Sequence, residues 1–324
     1  MYSILEKFVH KYKNKEIISL MLNIRRIINQ RRNSNIDDYI WITSEYRRRL
    51  GRDLNLSNPT RFTEKLQWLK LFYRDPIMIN CASKIEVRQY LSDMGFEDYL
   101  VPIVGYFYNV EDIKFESIPE KCIFKAAHGS SMMLVKKENK KKMPFMWKQI
   151  MKTWMNMNIS IEGREWPYNF VKPGIICEEF IEPENSNLLD IKFFCFNGKP
   201  EFIQVDADLL NNHCIDFYDI FWNRLKLKGQ YPNSNVLIEK PQRFKEMYDI
   251  ATKLSSRFPH VRIDFYLYDN EIKIGELTFF DGSGFYNFNP DEYDYIFGEH
   301  LFLPKVNYNY ELYNDLLINI QNDI

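Results

Sequence analysis

The sequence predicts an α+β protein with mostly antiparallel strands, preceded by a helical and basic N-terminal region. Two hairpins support this prediction, because each joins two apolar strands across a short turn. One turn is Asn197-Gly198, the strongest short turn signal in the chain. Amphipathic periodicity indicates helices elsewhere. The predicted hairpins are Asp190–Phe196 with Pro200–Val205 and Val261–Tyr268 with Ile272–Phe280, and the predicted helices include Pro144–Met157 and Pro241–Phe258.

Length and composition indicate a globular protein of two or three domains. The chain has 324 residues and a net charge of −1, so nothing marks it as a nucleic-acid binder. Its five cysteines are odd in number and widely spaced, which argues against a disulfide framework or a zinc cluster and indicates a reducing cytoplasm. No apolar run reaches the length of a membrane span, and the N-terminus lacks the apolar core of a signal peptide.

Residues 1–60 concentrate positive charge on predicted helices. Such a region could contact an anionic membrane surface, which would place the protein at the inner face of the membrane, or an anionic glycan. A solvated helical face is the alternative and the more frequent state of a charge run. The basic residues are Lys7, Lys11, Lys13, Lys15, Arg25, Arg26, Arg31, Arg32, Arg47, Arg48, Arg49 and Arg52.

The hairpin at 261–280 carries two acids inside strongly apolar strands. A three-residue loop, Asp269–Glu271, would place Asp264 directly opposite Glu276 and Arg262 opposite Thr278, whereas a two-residue loop would put the two acids on opposite faces. Carboxylates in paired positions repel each other unless a cation lies between them. Mg²⁺ fits such a site of oxygen ligands, because two carboxylates leave several coordination positions of the ion to water and phosphate. The alternative is a surface hairpin with solvated acids.

Two lysines lie at positions where a phosphate group could bind. Lys84 falls in the first turn of a helix predicted from the capping-box pair Ser83 and Glu86, where the helix dipole disfavours a cation unless an anion is near. Lys125 ends an apolar strand that opens into the small-residue loop Ala126–Ser131, whose backbone N–H groups can point at a polyphosphate. The alternatives are a plain exposed lysine at 84 and a structural role for the loop histidine, His128.

A second charged pair lies inside an apolar strand. Asp190 and Lys192 share one face of the strand, alternating with apolar residues on the other. Charged groups within an apolar sheet need partners, so this pair also indicates a site.

These stretches together resemble the TupA-like ATP-grasp family of bacterial surface-polysaccharide clusters, named for teichuronopeptide synthesis. Each motif is weak alone, and the ordered set through residues 58–290 is specific. The motifs are NPTRFTEKLQWLK (58–70), SKIEVRQYL (83–91), KAAHGSS (125–131), REWPY (164–168), ICEEFI (176–181), DIKFFCFNGKPEFIQV (190–205) and VRIDFYLYDNEIKIGELTFFDGSGF (261–285).

The resemblance implies an ATP-grasp fold, in which two α+β subdomains clamp ATP. The implied organisation is a helical N-terminal region (1–75), a pre-ATP-grasp segment (76–120), a lid subdomain (121–182) and a catalytic subdomain (183–324). Lys84 and Lys125 match the lysines on ATP phosphates, and Arg262 lies near the transferred phosphate.

Further roles follow from the same match. The implied Mg²⁺ ligands are Asp264, Glu276 and Thr278. The ATP-binding candidates beyond the two lysines are His128, Gly129 and Ser130 of the loop, Glu178, Glu179, Phe180 and Ile181 of the adenine hinge, Asp190 for the ribose with Glu184 as competitor, and Lys192. The loop Asp281–Gly284 would face the acceptor, and our candidates for contacting it are Arg164, Ser283 and Gly284.

The chain departs from the usual ATP-grasp pattern at three positions. Ser83 replaces an aspartate, Ser131 replaces a glycine in the lid loop, and Thr278 replaces an asparagine among the metal ligands. With threonine at 278, the third metal ligand would be a hydroxyl, which can still coordinate.

The implied activity is that of an ADP-forming carboxylate–amine ligase working through an acyl phosphate. The expected partners are an amine or amino acid and a sugar of a surface polysaccharide. Rival classes are a glycosyltransferase, whose D-x-D hallmark occurs as Asp206-Ala207-Asp208, a phosphotransferase on the same scaffold, and a non-catalytic glycan-binding protein. The last leaves Lys125, Asp264 and Glu276 without a role.

Overall fold

The structure is a computed structural model that describes residues 15–137, 143–184, 188–207 and 213–305. Lys7, Lys11 and Lys13 of the basic region and Asp208 of the D-x-D tripeptide lie outside the described residues. The helices are α1 (Lys15–Asn33), α2 (Asp38–Leu50), α3 (Phe62–Phe72), α4 (Ile77–Ala82), α5 (Val87–Asp93), α6 (Phe145–Met155), α7 (Ser160–Gly163), α8 (Phe244–Ser255) and α9 (Glu292–His300).

The strands form two sheets in which every strand pair is antiparallel. The sheet orders are β1-β4-β2-β3 and β7-β6-β5-β8-β9. The prediction of an α+β protein with antiparallel strands is confirmed. The strands are β1 (Ile103–Phe107), β2 (Cys122–Ala126), β3 (Met133–Lys136), β4 (Ile175–Glu179), β5 (Leu189–Phe196), β6 (Lys199–Ala207), β7 (Cys214–Asp219), β8 (His260–Tyr268) and β9 (Glu271–Thr278).

The described residues fall into two compact units. The first comprises the described parts of 1–36, 83–87 and 102–180, and the second those of 37–82, 88–101 and 181–324. The predicted boundaries after residues 75, 120 and 182 stay a prediction. Among the described helices, none combines the length and hydropathy that a membrane span requires.

The first unit packs the four-stranded sheet against α6. Alternate residues of β2, Cys122, Phe124 and Ala126, are buried, as the two-residue period of a strand requires. The apolar face of α6, which includes Trp147 and Trp154, lies in the same core. Helix α1 packs on α6, where Trp147 Nε1 donates to the carboxylate of Glu16 at 2.8 Å.

The second unit packs one face of the five-stranded sheet against α8, whose apolar residues recur at helical spacing. The ring of Phe193 on β5 lies 5.6 Å from that of Phe244 on α8. Toward the end of the opposite face, Phe202 stacks on Phe297 of α9 at 4.0 Å. The rest of that face carries the polar side chains of the candidate site.

The hairpin of β8 and β9 differs from its prediction in the loop. The strands are joined by a two-residue turn, Asp269-Asn270, with φ of 46° and 63°, because Tyr268 pairs with Glu271. The predicted three-residue loop is therefore wrong. The predicted pairing is nevertheless confirmed: Asp264 lies opposite Glu276 and Arg262 opposite Thr278.

A β-bulge reconciles the short turn with this pairing. Phe265 pairs with Ile274 whereas Asp264 pairs with Glu276, so Gly275 is the extra residue on β9. A Cβ at Gly275 would lie 3.0 Å from the ring of Tyr266, and glycine therefore suits the position. The bulge supplies the one-residue shift that the prediction assigned to the loop.

The helix predicted to begin at Ser83 begins later. Residues 83–86 form a turn between α4 and α5, so Lys84 is not in the first turn of a helix, and the helix-dipole argument does not apply to it. The paired side chains of the predicted capping box do meet: the Ser83 hydroxyl donates to the carboxylate of Glu86. The predicted stop is confirmed, since Gly95 follows α5 with φ of 83°.

His260, the first residue of β8, is buried among aromatic rings. Its ring centroid lies 5.0 Å from that of Phe62 and 5.1 Å from that of Phe196, and Nδ1 is 3.0 Å from the carbonyl oxygen of Cys195. Burial lowers the pKa of His260 to about 3. The imidazole is neutral in the folded state, whereas it takes up a proton in the unfolded chain below its ordinary pKa.

We predict that His260 makes the fold less stable as the pH falls below about 6.5. The unfolded state then binds the extra proton, and the loss is roughly 1.4 kcal/mol per pH unit until the folded pKa is reached. Urea unfolding of the wild type and His260→Phe at about pH 7 and about pH 5 checks this: the wild type should lose roughly 2 kcal/mol more than the variant. Equal losses in both proteins would contradict the prediction.

Candidate active site

In the first unit, the predicted phosphate lysine Lys125 pairs with the predicted hinge residue Glu178. Their strands β2 and β4 are neighbours, and the register Ile123↔Glu178 puts both side chains on one face of the sheet. The ammonium lies 2.6 Å from the carboxylate, and both side chains are largely buried. A lysine on the strand that opens into the lid loop is thus held against an acid on the neighbouring strand.

The lid loop connects β2 to β3 as predicted. Ser131, which replaces the usual glycine, has φ of 58°, a conformation that favours glycine. A Cβ at Gly129 would lie 2.5 Å from Met132 Cε and 2.8 Å from Ile159 Cγ1, so glycine suits this position. Ser130 and Ser131 are exposed at the tip.

His128 holds the loop through both of its ring nitrogens. Nε2 lies 2.9 Å from the carbonyl oxygen of Trp154, and the backbone N–H of Gly174 donates to Nδ1 at 3.4 Å. The ring is buried, and burial lowers the pKa of His128. These contacts are structural, and ATP binding by His128 stays a prediction.

Lys84 contacts the lid loop directly. Its Nζ donates to the carbonyl oxygen of Gly129 at 2.8 Å, and its backbone N–H donates to that of Ala127 at 2.9 Å. Two predicted phosphate ligands, Lys84 and Gly129, are therefore brought together although 45 residues separate them in the chain.

The predicted hinge residues lie where the chain passes from the first unit to the second, after Phe180. Glu178 is buried and Glu179 is exposed at the end of β4. Lys137 lies over the ring of Phe180 at 4.8 Å, which is a cation–π contact. Glu184, the competing ribose candidate, is exposed, and its backbone N–H donates to Asp269 at 2.6 Å.

Arg164, a predicted acceptor contact, is buried within the first unit. Its guanidinium donates to the carbonyl oxygen of Asn33, the last residue of α1, at 2.6 Å. Its backbone has φ of 55° directly after α7. The structure thus shows Arg164 joining α1 to the end of α7, and acceptor binding by this residue stays a prediction.

In the second unit, Arg262 joins two carboxylates. Its Nε and Nη2 donate to the two oxygens of Asp264 at 2.7 Å each, and Nη1 donates to Asp281. On the paired strand, the Thr278 hydroxyl donates to Glu276 at 3.2 Å. The predicted catalytic arginine and the three predicted metal ligands therefore occupy one patch of the β8–β9 hairpin.

Burial and charge act in opposite directions on this group. Burial raises the pKa of Asp264 to about 6, although the Arg262 guanidinium works against the shift. Burial also lowers the pKa of Arg262, but the carboxylates of Asp264 and Asp281 outweigh it and raise that pKa well above the ordinary value. The arginine is permanently charged and neutralises the acids around it.

Next to this patch, Lys192 lies between two acids. Its Nζ is 2.8 Å from Asp190 on its own strand and 2.8 Å from Asp206 on β6. Burial raises the pKa of Asp190, whereas the neighbouring carboxylates outweigh burial and raise that of Lys192. Gln204 donates to Asp206 at 2.6 Å, and His213 lies 3.3 Å from the same carboxylate.

Asp206, the first residue of the D-x-D tripeptide, lies within β6. The predicted strand Pro200–Val205 is too short, because β6 spans Lys199–Ala207 and includes Asp206. Its carboxylate is buried and bonded to Lys192, so within the described residues it serves the charge cluster of the sheet.

The turn Asp281–Gly284 after β9 is left-handed at three successive residues. Gly282, Ser283 and Gly284 have φ of 53°, 55° and 65°. Helix α3 holds this turn: Lys70 Nζ donates to the Ser283 carbonyl oxygen at 2.7 Å, and Gln67 Nε2 donates to that of Gly284 at 2.7 Å. A non-glycine residue in this conformation is strained and is a common feature of functional turns.

Sequence reasoning placed Asp281 in the loop that would face the acceptor but did not connect it with Arg262, and it missed Gln67 and Lys70 as parts of this site. Asp281 stands in the DGSGF end of the last motif, and both α3 residues stand in NPTRFTEKLQWLK. Their positions within these motifs were the signal that could have indicated a role in the site. The partners of Gln67 and Lys70 could not be inferred, because their contacts join segments more than 200 residues apart.

The residues at the β8–β9 hairpin fit a magnesium ion. Asp264, Glu276 and Thr278 offer oxygen atoms only, the donor type that Mg²⁺ prefers. In the described part of the chain, no group of three or more His, Cys, Asp or Glu side chains is arranged to hold a metal. Two carboxylates and a hydroxyl would leave the other positions to water and phosphate, as is usual for Mg²⁺.

Comparison with known families identifies the class as ATP-grasp proteins. The family described as "TupA-like ATPgrasp" matches residues 64–302. The chain belongs to this TupA-like ATP-grasp family. The predictions of the family and of an ATP-grasp fold, preceded by a helical region, are confirmed.

Solved structures give distant similarities. The D-alanine–D-alanine ligase of Bacillus anthracis is 16% identical over 62% of this chain, with a TM-score of 0.38, and the chain spans 58% of that ligase. The Helicobacter pylori ligase is 15% identical over 76% of this chain and 70% of its own, with a TM-score of 0.36. The ATP-grasp ligase PsnB, complexed with a minimal precursor, Mg and ADP, is 13% identical over 68% of this chain and 60% of its own, with a TM-score of 0.37. A search of curated proteins returned no match.

We predict that Arg262→Met destabilises the protein by roughly 3–5 kcal/mol, because it leaves Asp264 and Asp281 buried without their cation. Urea unfolding measures this loss, and Asp281→Asn in the same chain should recover part of it. Arg243→Met is the matched control, since its pair with Glu246 lies nearer the surface and should contribute about 1 kcal/mol or less. Similar losses for Arg262→Met and Arg243→Met would contradict the role given to Arg262.

Proposed function

We propose that this protein is an ATP-dependent, ADP-forming ligase that joins a carboxylate to an amine. The observation that supports it most is the direct pairing of Asp264 with Glu276 beside Arg262. Two oxygen ligands and a permanent cation in one patch suit the transfer of a phosphoryl group. Membership of the TupA-like ATP-grasp family supports ATP as the phosphoryl donor.

The proposal assigns Mg²⁺ to Asp264 and Glu276, with the Thr278 hydroxyl as the third ligand. When bound, Mg²⁺ would neutralise charge on the ATP phosphates. Thr278 already donates to Glu276, so its oxygen lies next to the other donors. Arg262 keeps the Asp264 carboxylate oriented through two hydrogen bonds and would stabilise negative charge on the transferred phosphoryl group.

The proposal also assigns the phosphate and nucleoside contacts of ATP. Lys84 and Lys125 would bind the ATP phosphates together with backbone groups of the lid loop, including Gly129 and Ser130. The contact between Lys84 and the loop supports this, because it holds a cation against the segment. Adenine is assigned to residues 178–181, and the ribose to Asp190 with Lys192 as its charged neighbour.

The reaction would proceed in two steps. An oxygen of the substrate carboxylate attacks the γ-phosphorus of ATP, the bond to the β,γ-bridging oxygen breaks, and ADP leaves as an acyl phosphate forms. The nitrogen of an amine then attacks the acyl carbon, phosphate departs and the amine nitrogen loses a proton. The products are an amide, ADP and phosphate. The left-handed turn Asp281–Gly284 is our candidate for contacting the acceptor.

We further propose that one of the two substrates is a sugar of a bacterial surface polysaccharide, such as a uronic acid or an amino sugar, and that the other is an amino acid. The choice is supported by the resemblance of this chain to a family named for teichuronopeptide synthesis. A cytoplasmic location belongs to the same proposal, and the five free cysteines are compatible with a reducing compartment.

We predict that Glu276→Gln lowers ATP turnover by roughly a hundredfold or more, since it removes one charge of the metal site. The assay measures ADP release with Mg-ATP, and thermal unfolding verifies that the variant is folded. Glu271→Gln is the control, because Glu271 is exposed at the turn end of the same strand. Full activity in Glu276→Gln would refute the metal assignment.

We predict that ADP release depends on a carboxylate and an amine together. Mg-ATP is incubated with uronic acids, amino sugars and amino acids, singly and in pairs, and the products are analysed by mass spectrometry. An amide formed with stoichiometric ADP and phosphate supports the ligase. A stable phosphorylated acceptor would indicate a phosphotransferase, and UDP release from nucleotide sugars would favour the glycosyltransferase.

A further inference from the structure

The segment 220–245 of the second unit combines exposed apolar side chains with lysines, and the proposed reaction does not use it. Phe221, Val236 and Leu237 are 76%, 73% and 67% exposed. They lie on two stretches of irregular chain that are held together, because Trp222 Nε1 donates to the carbonyl oxygen of Ile238 at 2.9 Å. The exposed apolar groups are therefore fixed on a folded scaffold.

The same part of the chain is strongly basic. Residues 220–245 contain six basic side chains and a single acidic one, Glu239. Three of the basic side chains are paired with acids: Arg224 with Asp216 at 2.5 Å, Arg243 with Glu246 at 2.5 Å, and Lys245 with Asp249 at 2.6 Å.

The other three, Lys226, Lys228 and Lys240, are exposed and make no ion pair with any described residue. Lys240 lies over the ring of Phe244 at 4.1 Å and lines a shallow groove together with Ile220 and Tyr248. Three exposed apolar side chains and three exposed lysines thus lie between residues 221 and 240, and we call this set the lysine–apolar surface: Phe221, Val236, Leu237, Lys226, Lys228 and Lys240.

We propose that the lysine–apolar surface binds an anionic lipid bilayer. Transfer of phenylalanine, valine and leucine side chains from water into the acyl region of a membrane is favourable. Anionic headgroups attract the lysine ammonium groups, and the aliphatic stems of the lysines let these ammonium groups stay at headgroup level. This surface is distinct from the basic N-terminal region, because all of its residues lie between positions 221 and 240.

Charge and shape favour a membrane over other occupants. A symmetric contact between two copies would bring the unpaired lysines of both copies together, which like charges disfavour. A free anionic glycan would satisfy Lys226 and Lys228 but leave Phe221, Val236 and Leu237 in water. These three side chains protrude, and insertion into a bilayer requires no complementary groove.

The test is co-sedimentation of the full chain with lipid vesicles. The vesicles contain either phosphatidylcholine alone or phosphatidylcholine with phosphatidylglycerol. One variant is Phe221→Ser with Val236→Ser and Leu237→Ser, and a second is Lys226→Gln with Lys228→Gln and Lys240→Gln. The control, Phe302→Ser, removes another exposed aromatic side chain, which is 71% exposed. Circular dichroism and analytical ultracentrifugation verify the fold and the oligomeric state of each protein.

The proposal expects the wild type to bind vesicles with phosphatidylglycerol and not those of phosphatidylcholine alone. Each triple variant should bind about tenfold or more weakly, while Phe302→Ser binds like the wild type. Absence of wild-type binding would overturn the proposal. So would binding retained by the Phe221, Val236 and Leu237 variant, which would assign membrane contact to another region, or a wild-type dimer that this variant abolishes.

Discussion

The candidate catalytic face depends on the hydrogen bonds that the guanidinium of Arg262 makes with Asp264 and Asp281. The guanidinium donates to Asp264 within β8 and to Asp281 beyond β9, so it ties the hairpin to the turn that follows it. Two carboxylates buried near each other repel and would take up protons to lose their charge. The arginine keeps that repulsion low enough for both acids to occupy the same patch. The residue assigned to the transferred phosphate is therefore also the one that holds its surroundings in place.

The sequence was sufficient to predict this hairpin, its charged face and the pairing of its two acids. The pairing does not arise from loop parity alone, because a bulge in β9 also sets the register. Asp269-Asn270 adopts positive φ at both positions, which suits a two-residue turn, and Gly275 marks the bulge that restores the register. Both signals are local. Together they preserve the pairing of Asp264 with Glu276, because a glycine bulge within a strand shifts the register as an odd loop does.

Other partners were not predictable, because they depend on packing between distant segments. Lys125 and Glu178 were each assigned to ATP from separate motifs, yet they form an ion pair on adjacent strands. The pairing of Lys192 with Asp190 is confirmed, since the two residues share one face of their strand. Its second acid, Asp206, became evident only from the register of β5 with β6. Strand periodicity predicts which face a side chain takes, but strand order decides which neighbours it meets.

The turn Asp281–Gly284 extends this argument beyond the strands. Three successive left-handed residues, one of them Ser283, are costly for an isolated chain, so the conformation needs support from outside the turn. Helix α3 provides it, because Gln67 and Lys70 donate to carbonyl groups that the turn would otherwise leave without helix or sheet partners. Asp281, at the start of the turn, then meets Arg262. Helix α3, which contributes none of the side chains assigned to ATP or metal, thereby becomes part of what shapes the site.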